Sequence, residues 1–271
     1  MRRLILALAR HPDPKLRWQM LEFMAEFWPH DSEARRATIA ATRDDAATVR
    51  QTAFEIARYT WPGDLELRAA LMAGVRDAAG DVRWIAVQSL ARLWPQEDEA
   101  RQVVLAALDD GDATVRSTVV EALAEQWPDR PEVRRAVLAA IGDPDSTVRN
   151  SALRLSGDRW PGHDEVRAPA LLATTDEDPW VALTALKVLA QRWPDDPETR
   201  AAVEHCADGP LRVEALRLLA LVWPRDAATL RTVERAAREV PAAERAVTTS
   251  LLTFLAGFAA ASPDDTPGAR R

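Results

Sequence analysis

A chain of 271 residues is long enough for two ordinary domains, and its 42 acidic and 35 basic side chains leave a formal charge of −7 that repels phosphate. Its single cysteine, Cys206, excludes an internal disulfide and gives no sign of an oxidising compartment, so a cytoplasmic protein is expected.

The chain opens on Met1-Arg2-Arg3 and an apolar run, Leu4 to Ala9, that imitates a secretory leader. The run is only six residues long, and the opening segment aligns, Arg2 to Arg10, with Arg134 to Gly142 further on, so it reads as a helix. Trp28-Pro29 follows, the first of seven such pairs; the others are Trp61-Pro62, Trp94-Pro95, Trp127-Pro128, Trp160-Pro161, Trp193-Pro194 and Trp223-Pro224. The first five intervals are 33 residues each and the sixth is 30. A fixed period of this length marks a repeat architecture. The short interval has lost about a turn of helix or part of a loop.

Each period holds two helices, A and then B. In the unit ending at Trp127, Val115, Val119, Ala122, Leu123 and Trp127 recur at steps of three and four, and Val133, Val137, Ala140 and Ile141 form a second stripe beyond it. Breaks such as Gly142-Asp143-Pro144-Asp145 stop one helix and cap the next. Helix B ends at Trp because the following proline disfavours a helical conformation there and brings no N–H. Asp196-Pro197-Glu198 then supplies an N-cap, a first-turn proline and a first-turn acid to the next helix A. The indoles are expected between adjacent repeats, each N–H bonded to a loop carbonyl. Their periodic placement makes them core rather than a stacking ladder for nucleic-acid bases.

Charges also keep the period. Arg35, Arg68, Arg101, Arg134, Arg167 and Arg200 stand seven residues after Trp, each two residues after Glu33, Glu66, Glu99, Glu132, Glu165 or Glu198, acids that suit the first turn of helix A. Asp44, Asp77, Asp110, Asp143 and Asp176 follow, and Arg50, Arg83, Arg116 and Arg149 lie six residues beyond the first four.

Asp, then Val-Arg with the Arg six residues beyond it, and then small and apolar positions resemble the HEAT repeat, in particular the short subtype named after phycobilisome lyases. The resemblance runs over nearly the whole chain and implies an all-α fold, an α-α superhelix of about eight helix pairs. It also implies a ladder between neighbouring repeats, with a structural role for Asp44, Arg50, Asp77, Arg83, Asp110, Arg116, Asp143 and Arg149. Arrays with tryptophan at the helix B end are similar to those behind the nucleotide-binding engines of bacterial NACHT-type sensors; no phosphate-binding glycine loop occurs in this sequence. The pattern lapses at three places: His11 stands for Asp in the first unit, Ala182 for Arg in the sixth beside Trp180, and the unit after Trp223 lacks the pair. Residues 1–261 read as one solenoid domain, closed by a longer apolar helix over 242–261, and residues 262–271 as a disordered tail.

Function falls to positions that the period leaves free. Ten, six and two residues before Trp, helix B is variable and mostly polar, and these positions share one face. By resemblance that face lines the concave groove. Its middle position runs Glu22, Glu55, Gln88, Glu121, Arg154, Lys187, Arg217, so the sign changes halfway. With Trp18, Tyr59, Trp84 and Arg92 these are the candidate partner-binding residues, suited to an extended protein or peptide partner of opposite polarity. No membrane span is expected, and nothing in the sequence sets an oligomeric state. His11, His30, His163 and His205 show no metal-ligand spacing, and no nucleophile motif appears, so neither a cofactor nor catalysis is expected. Two alternatives follow from the resemblance. One is a HEAT-like alkylpurine DNA glycosylase or DNA-binding protein using Arg154, Arg159, Lys187, Arg192 and Arg217, which the overall charge opposes. The other is a bilin lyase, for which no residue specifies a tetrapyrrole.

Overall fold

The computed structural model describes residues 2–239 and 245–260. Among them the chain forms sixteen α-helices, two short 3-10 segments and no strand. They pair as helices A and B of successive repeats: α1 (Arg2–Leu8) with α2 (Pro14–Phe27), α3 (Ser32–Ala41) with α4 (Ala47–Thr60), α5 (Leu65–Gly74) with α6 (Gly80–Leu93), and α7 (Asp98–Ala106) with α8 (Ala113–Gln126). The series continues with α9 (Pro131–Ala139) and α10 (Ser146–Arg159), α11 (Asp164–Ala173) and α12 (Pro179–Arg192), α13 (Pro197–Cys206) and α14 (Arg212–Val222), and α15 (Ala227–Glu239) and α16 (Arg245–Ala260). This is the expected all-α solenoid of eight helix pairs. The expected closing helix is present as α16; residues 240–244 and the tail from 261 onward lie outside the described residues.

The chain divides into two compact units, residues 1–152 and 153–271. Within each, successive B helices pack along one another (α2 on α4, α4 on α6 and α6 on α8 in the first; α12 on α14 and α14 on α16 in the second), while successive A helices meet only lightly. Closer packing puts the B helices on the tighter side of each stack.

One four-residue device turns every helix B into the next helix A. The Trp takes non-helical angles, φ −135° and ψ 48° at Trp28 and close to these at its equivalents, as a residue before proline should. Its N–H still donates to the carbonyl four residues back, and its own carbonyl accepts from the N–H three residues on: Asp31, Asp64, Glu97, Arg130, His163, Asp196 and Asp226. That is a β-turn with proline at its second position. Where the fourth residue is Asp, it caps helix A: Asp31 accepts from the Glu33 and Ala34 amides, and Asp64 from those of Glu66 and Leu67. In the fifth turn Gly162 adopts φ +77°, a left-handed conformation open to glycine at little cost.

The short sixth interval is explained by α14, which has 11 residues where α2, α4, α6, α8, α10 and α12 have 14. The three missing residues come from the start of helix B.

Apolar stripes fill the interior. Leu21, Met24, Val49, Ala53, Phe54, Val82, Leu90, Val115 and Leu123 in the first unit, and Val181, Leu186, Leu189, Leu216 and Leu219 in the second, are all essentially inaccessible. Ser156 breaks the stripe. It occupies the place of Met24, Leu90 and Leu123, four residues before Trp, is fully buried, and its hydroxyl has no hydrogen-bond partner among the described residues. An unmet buried hydroxyl costs about 1–3 kcal/mol, and alanine is the better helix former. Ser156→Ala is therefore expected to raise the unfolding free energy by about 1 kcal/mol, read by chemical denaturation; a loss of stability would show that the hydroxyl is satisfied.

Candidate functional site

Two periodic ladders pair charges between successive repeats, and the helix B face outside them defines the candidate surface. In the first ladder the helix B arginine reaches forward to the aspartate of the next repeat. Arg50 donates through Nε and Nη2 to both carboxylate oxygens of Asp77 at 2.7 and 2.6 Å, and Arg83 likewise to Asp110, and Arg116 to Asp143, at 2.7–2.8 Å. The remaining Nη1 ties back to the loop of its own repeat, as Arg50 does to the Asp44 and Asp45 carbonyls. The expected ladder is thus present with a particular wiring: within one repeat the Asp offers its main chain, and its carboxylate serves the preceding repeat. Asp44 takes Arg17, which the sequence pattern had left out because His11 stands for the matching Asp; Arg17 uses the His11 and Pro12 carbonyls instead. Arg149 keeps the bond to the Asp143 carbonyl, and in the sixth unit the arginine position is the buried Ala182.

Burial opposes ionisation of Asp44, Asp77, Asp110 and Asp143, yet the guanidinium hydrogen bonds and backbone amides outweigh it and hold all four carboxyls below the usual range. The same hydrogen bonds, against a smaller opposing effect of burial, raise Arg17, Arg50, Arg83 and Arg116 above the ordinary guanidinium value.

A second ladder runs along the A helices. Arg35 donates to Asp64 and lies 3.5 Å from Glu66; Arg68 holds Glu97 and Glu99; Arg101 lies 3.4 Å from Glu132; Arg167 holds Asp196 and Glu198; Arg200 pairs with Asp226. The sequence showed these arginines and acids as neighbours on one helix. Folded, each arginine pairs with the cap, the first-turn acid or both in the following repeat.

The helix B stripe lies outside both ladders. Glu22 and Arg92 are exposed, Glu55, Gln88 and Glu121 partly so, and Arg154, Lys187 and Arg217 are exposed in the second unit. Tyr59 is 72% exposed, with the Arg58 guanidinium 4.6 Å over its ring. Trp18 and Trp84 are half-buried, Trp18 against the core around Leu21 and Met24. Gln88 and Arg92 on α6 and Glu121 on α8 are brought together with Glu125 around a cleft of about 90 Å³ over the small side chains of Ala91 and Ala122. Arg58 donates to the Gln88 side-chain oxygen at 2.5 Å. Glu125 was missed as a site residue although it stands at the same two-before-Trp position as Tyr59 and Arg92; the periodicity alone could have found it.

Residues 67–157 match the family model described as HEAT repeats. Those residues carry HEAT repeats, and the same helix-pair architecture continues through the other described residues. Among solved structures it is similar to the Escherichia coli protein YibA, with a TM-score of 0.61 and 13% identity over 93% of this chain and 91% of that one. It is also similar to a chain of the full-length AP-3 complex, with a TM-score of 0.64 and 14% identity over 92% of this chain and 50% of that chain. The CpcE–CpcF complex of phycocyanin lyase from Nostoc aligns at 18% identity over 94% of each chain with a TM-score of 0.46. At such identities the likeness is one of fold alone. Comparison with curated proteins gives no match.

Among the described residues of these HEAT-like repeats, no helix is long and apolar enough to cross a membrane, and no three His, Cys, Asp or Glu side chains converge as metal ligands would. Cys206 lies on α13, where burial pushes its thiol up and away from the reactive thiolate.

Proposed function

We propose that this protein is a non-catalytic cytoplasmic scaffold or adaptor, residues 1–261 serving as one binding domain whose helix B faces take a protein or peptide partner. The observation that carries this reading is a contrast between faces of the first unit. Acids on its A helices, such as Glu66, Glu99 and Glu132, meet an arginine of the preceding repeat, whereas Glu22, Glu26 and Glu125 on its B helices have no cation within bridging distance among the described residues. Charges that the fold does not use, beside the exposed Tyr59 and the α6–α8 cleft, are what a surface that steers and docks a partner requires. Stacked repeats use such surfaces for binding, and the uncharged partners Gln51 and Gln88 leave room for polar contacts.

The test is capture from lysate of the source cell. A Glu22→Lys/Glu55→Lys/Glu125→Lys variant is expected to lose partners that the wild type holds, while reversal of exposed A-helix cations, Arg36→Glu/Arg135→Glu, is expected to keep them. The opposite pattern would place binding on the A helices and sink the reading. Glu55→Lys alone is expected to leave the melting temperature essentially unchanged, within about 0.5 kcal/mol of stability, because the residue belongs to neither ladder nor core.

A further inference from the structure

The second unit carries the opposite charge on the same face, and we infer that this face binds an acidic α-helical segment of a protein partner. From residue 153 to the end of α14, the B helices hold six cations (Arg154, Arg159, Lys187, Arg192, Arg212 and Arg217) against two carboxylates, Asp158 and Glu214, in a chain whose formal charge is −7. The A helices of the same unit do not share this excess, because Arg167, Arg200 and Arg235 are each paired, with Asp196 and Glu198, with Asp226, and with Asp208. On the B helices Arg192 has a carboxylate on this face, Asp158 at 3.4 Å. Lys187 and Arg217 are exposed and meet no carboxylate among the described residues. An acidic chain that leaves cations uncompensated in one place concentrates attraction for anions there.

Geometry selects the kind of anion. The stripe presents one cation per helix, at the position six residues before Trp, on B helices packed side by side: α10 meets α12 where Gly157 faces Val188, and α12 packs on α14. Packed helices stand about 9–10 Å apart. Seven residues of α-helix rise about 10.5 Å, so a helix laid across the B helices with an acid at every seventh residue meets Lys187 and Arg217 in register, with a further acid toward Arg154. Leu221, 65% exposed one turn beyond Arg217, gives the apolar contact that an amphipathic helix needs. Nucleic acid fits worse: duplex DNA carries a charge about every 1.7 Å, and stacking of bases needs open aromatic faces. One open indole, Trp180, 71% exposed at the start of α12 and seven residues before Lys187, makes no stacking ladder, and Trp223, just beyond α14, is partly buried and spends its N–H on the Pro194 carbonyl.

This inference rests on the binding-scaffold reading and is tested separately from it. The probe is a fluorescein-labelled, alanine-rich helical peptide of about three heptads carrying Glu at every seventh position and Leu between, titrated by anisotropy against the full chain. Its comparators are a peptide of identical composition with the Glu residues bunched at one end and a labelled single-stranded DNA. The seventh-spaced peptide is expected to bind at least about tenfold more tightly than the bunched one, and Lys187→Glu/Arg217→Glu to abolish the difference. Against that variant the same peptide with Lys in place of Glu is expected to become the tighter ligand, which a merely unfolded variant would not show. Equal or undetectable binding of the two peptides, or tighter binding of the DNA, overturns the inference. Lysate capture that depends on Glu22, Glu55 and Glu125 would survive that failure, since it reads the first unit alone.

Discussion

Trp127→Ala is expected to lower the unfolding free energy by about 3–5 kcal/mol, the cost of emptying a large buried aromatic site. Trp127 is 5% exposed, and its indole N–H donates across 32 residues to the Pro95 carbonyl at 2.5 Å. The same bond recurs from Trp61 to Pro29 at 3.0 Å and from Trp223 to Pro194 at 2.9 Å: in each case the indole of one Trp-Pro pair reaches back to the proline carbonyl of the pair before. Trp127→Phe separates the two contributions. It keeps most of the aromatic surface, loses the donor and leaves a carbonyl unmet, and is expected to cost about 1–3 kcal/mol. Denaturant melts of the two variants measure both. Equal losses would show that the hydrogen bond, rather than burial, dominates, and a loss below about 1 kcal/mol for alanine would remove the indole from the list of repeat–repeat ties.

Arg83→Ala is the second large effect, expected at about 2–4 kcal/mol, because it strips a shielded Asp110 of its two-pronged partner and leaves the Asp77 and Ala78 carbonyls without a donor. Arg83→Lys is expected to recover only part of the loss, since an ammonium cannot bridge both carboxylate oxygens and reach the loop at once. A double-mutant cycle with Asp110→Ala isolates the pair, and a coupling near zero would make the ladder ornamental. The rungs also set a pH dependence. Asp44, Asp77, Asp110 and Asp143 have carboxyls held below their unfolded value, so their contribution is complete above the ordinary carboxylate range near 4 and is lost as pH falls through the lower folded values. Acid unfolding is therefore expected to steepen below about pH 4, and Arg83→Ala to flatten it. An acid transition with the same slope in both proteins would place the linkage elsewhere.

The period, the two helices and the place where each helix B ends were legible in the sequence because proline, Asp caps and apolar spacing act within a few residues of one another. The direction of the ion pairs was not. Asp44 and Arg50 sit six apart in the chain and look like partners, yet the arginine side chain passes its own loop and finds Asp77; only the stacking distance between repeats decides this. For the same reason Arg17 looked like a lapse in the pattern, while Ala182 is one. On the binding face the stripe positions were legible as a helical face. That Gln88, Arg92, Glu121 and Glu125 share a cleft depends on Ala91 and Ala122 letting two helices leave a gap, a property of volumes rather than of periodicity.

The two kinds of tie run in opposite senses along the chain, arginine toward the next repeat and indole toward the last, and each joins only nearest neighbours. Excising residues 62–94 would join Trp61 to Pro95, set Arg50 opposite Asp110, and leave the bonds of Trp61 to Pro29 and of Trp127 to Pro95 as they are. Every severed tie would find an equivalent group waiting. Size in such a molecule is quantised, free to grow or shrink by whole 33-residue units without any new contact having to be invented, and each step would add or remove one row of the face it offers to a partner.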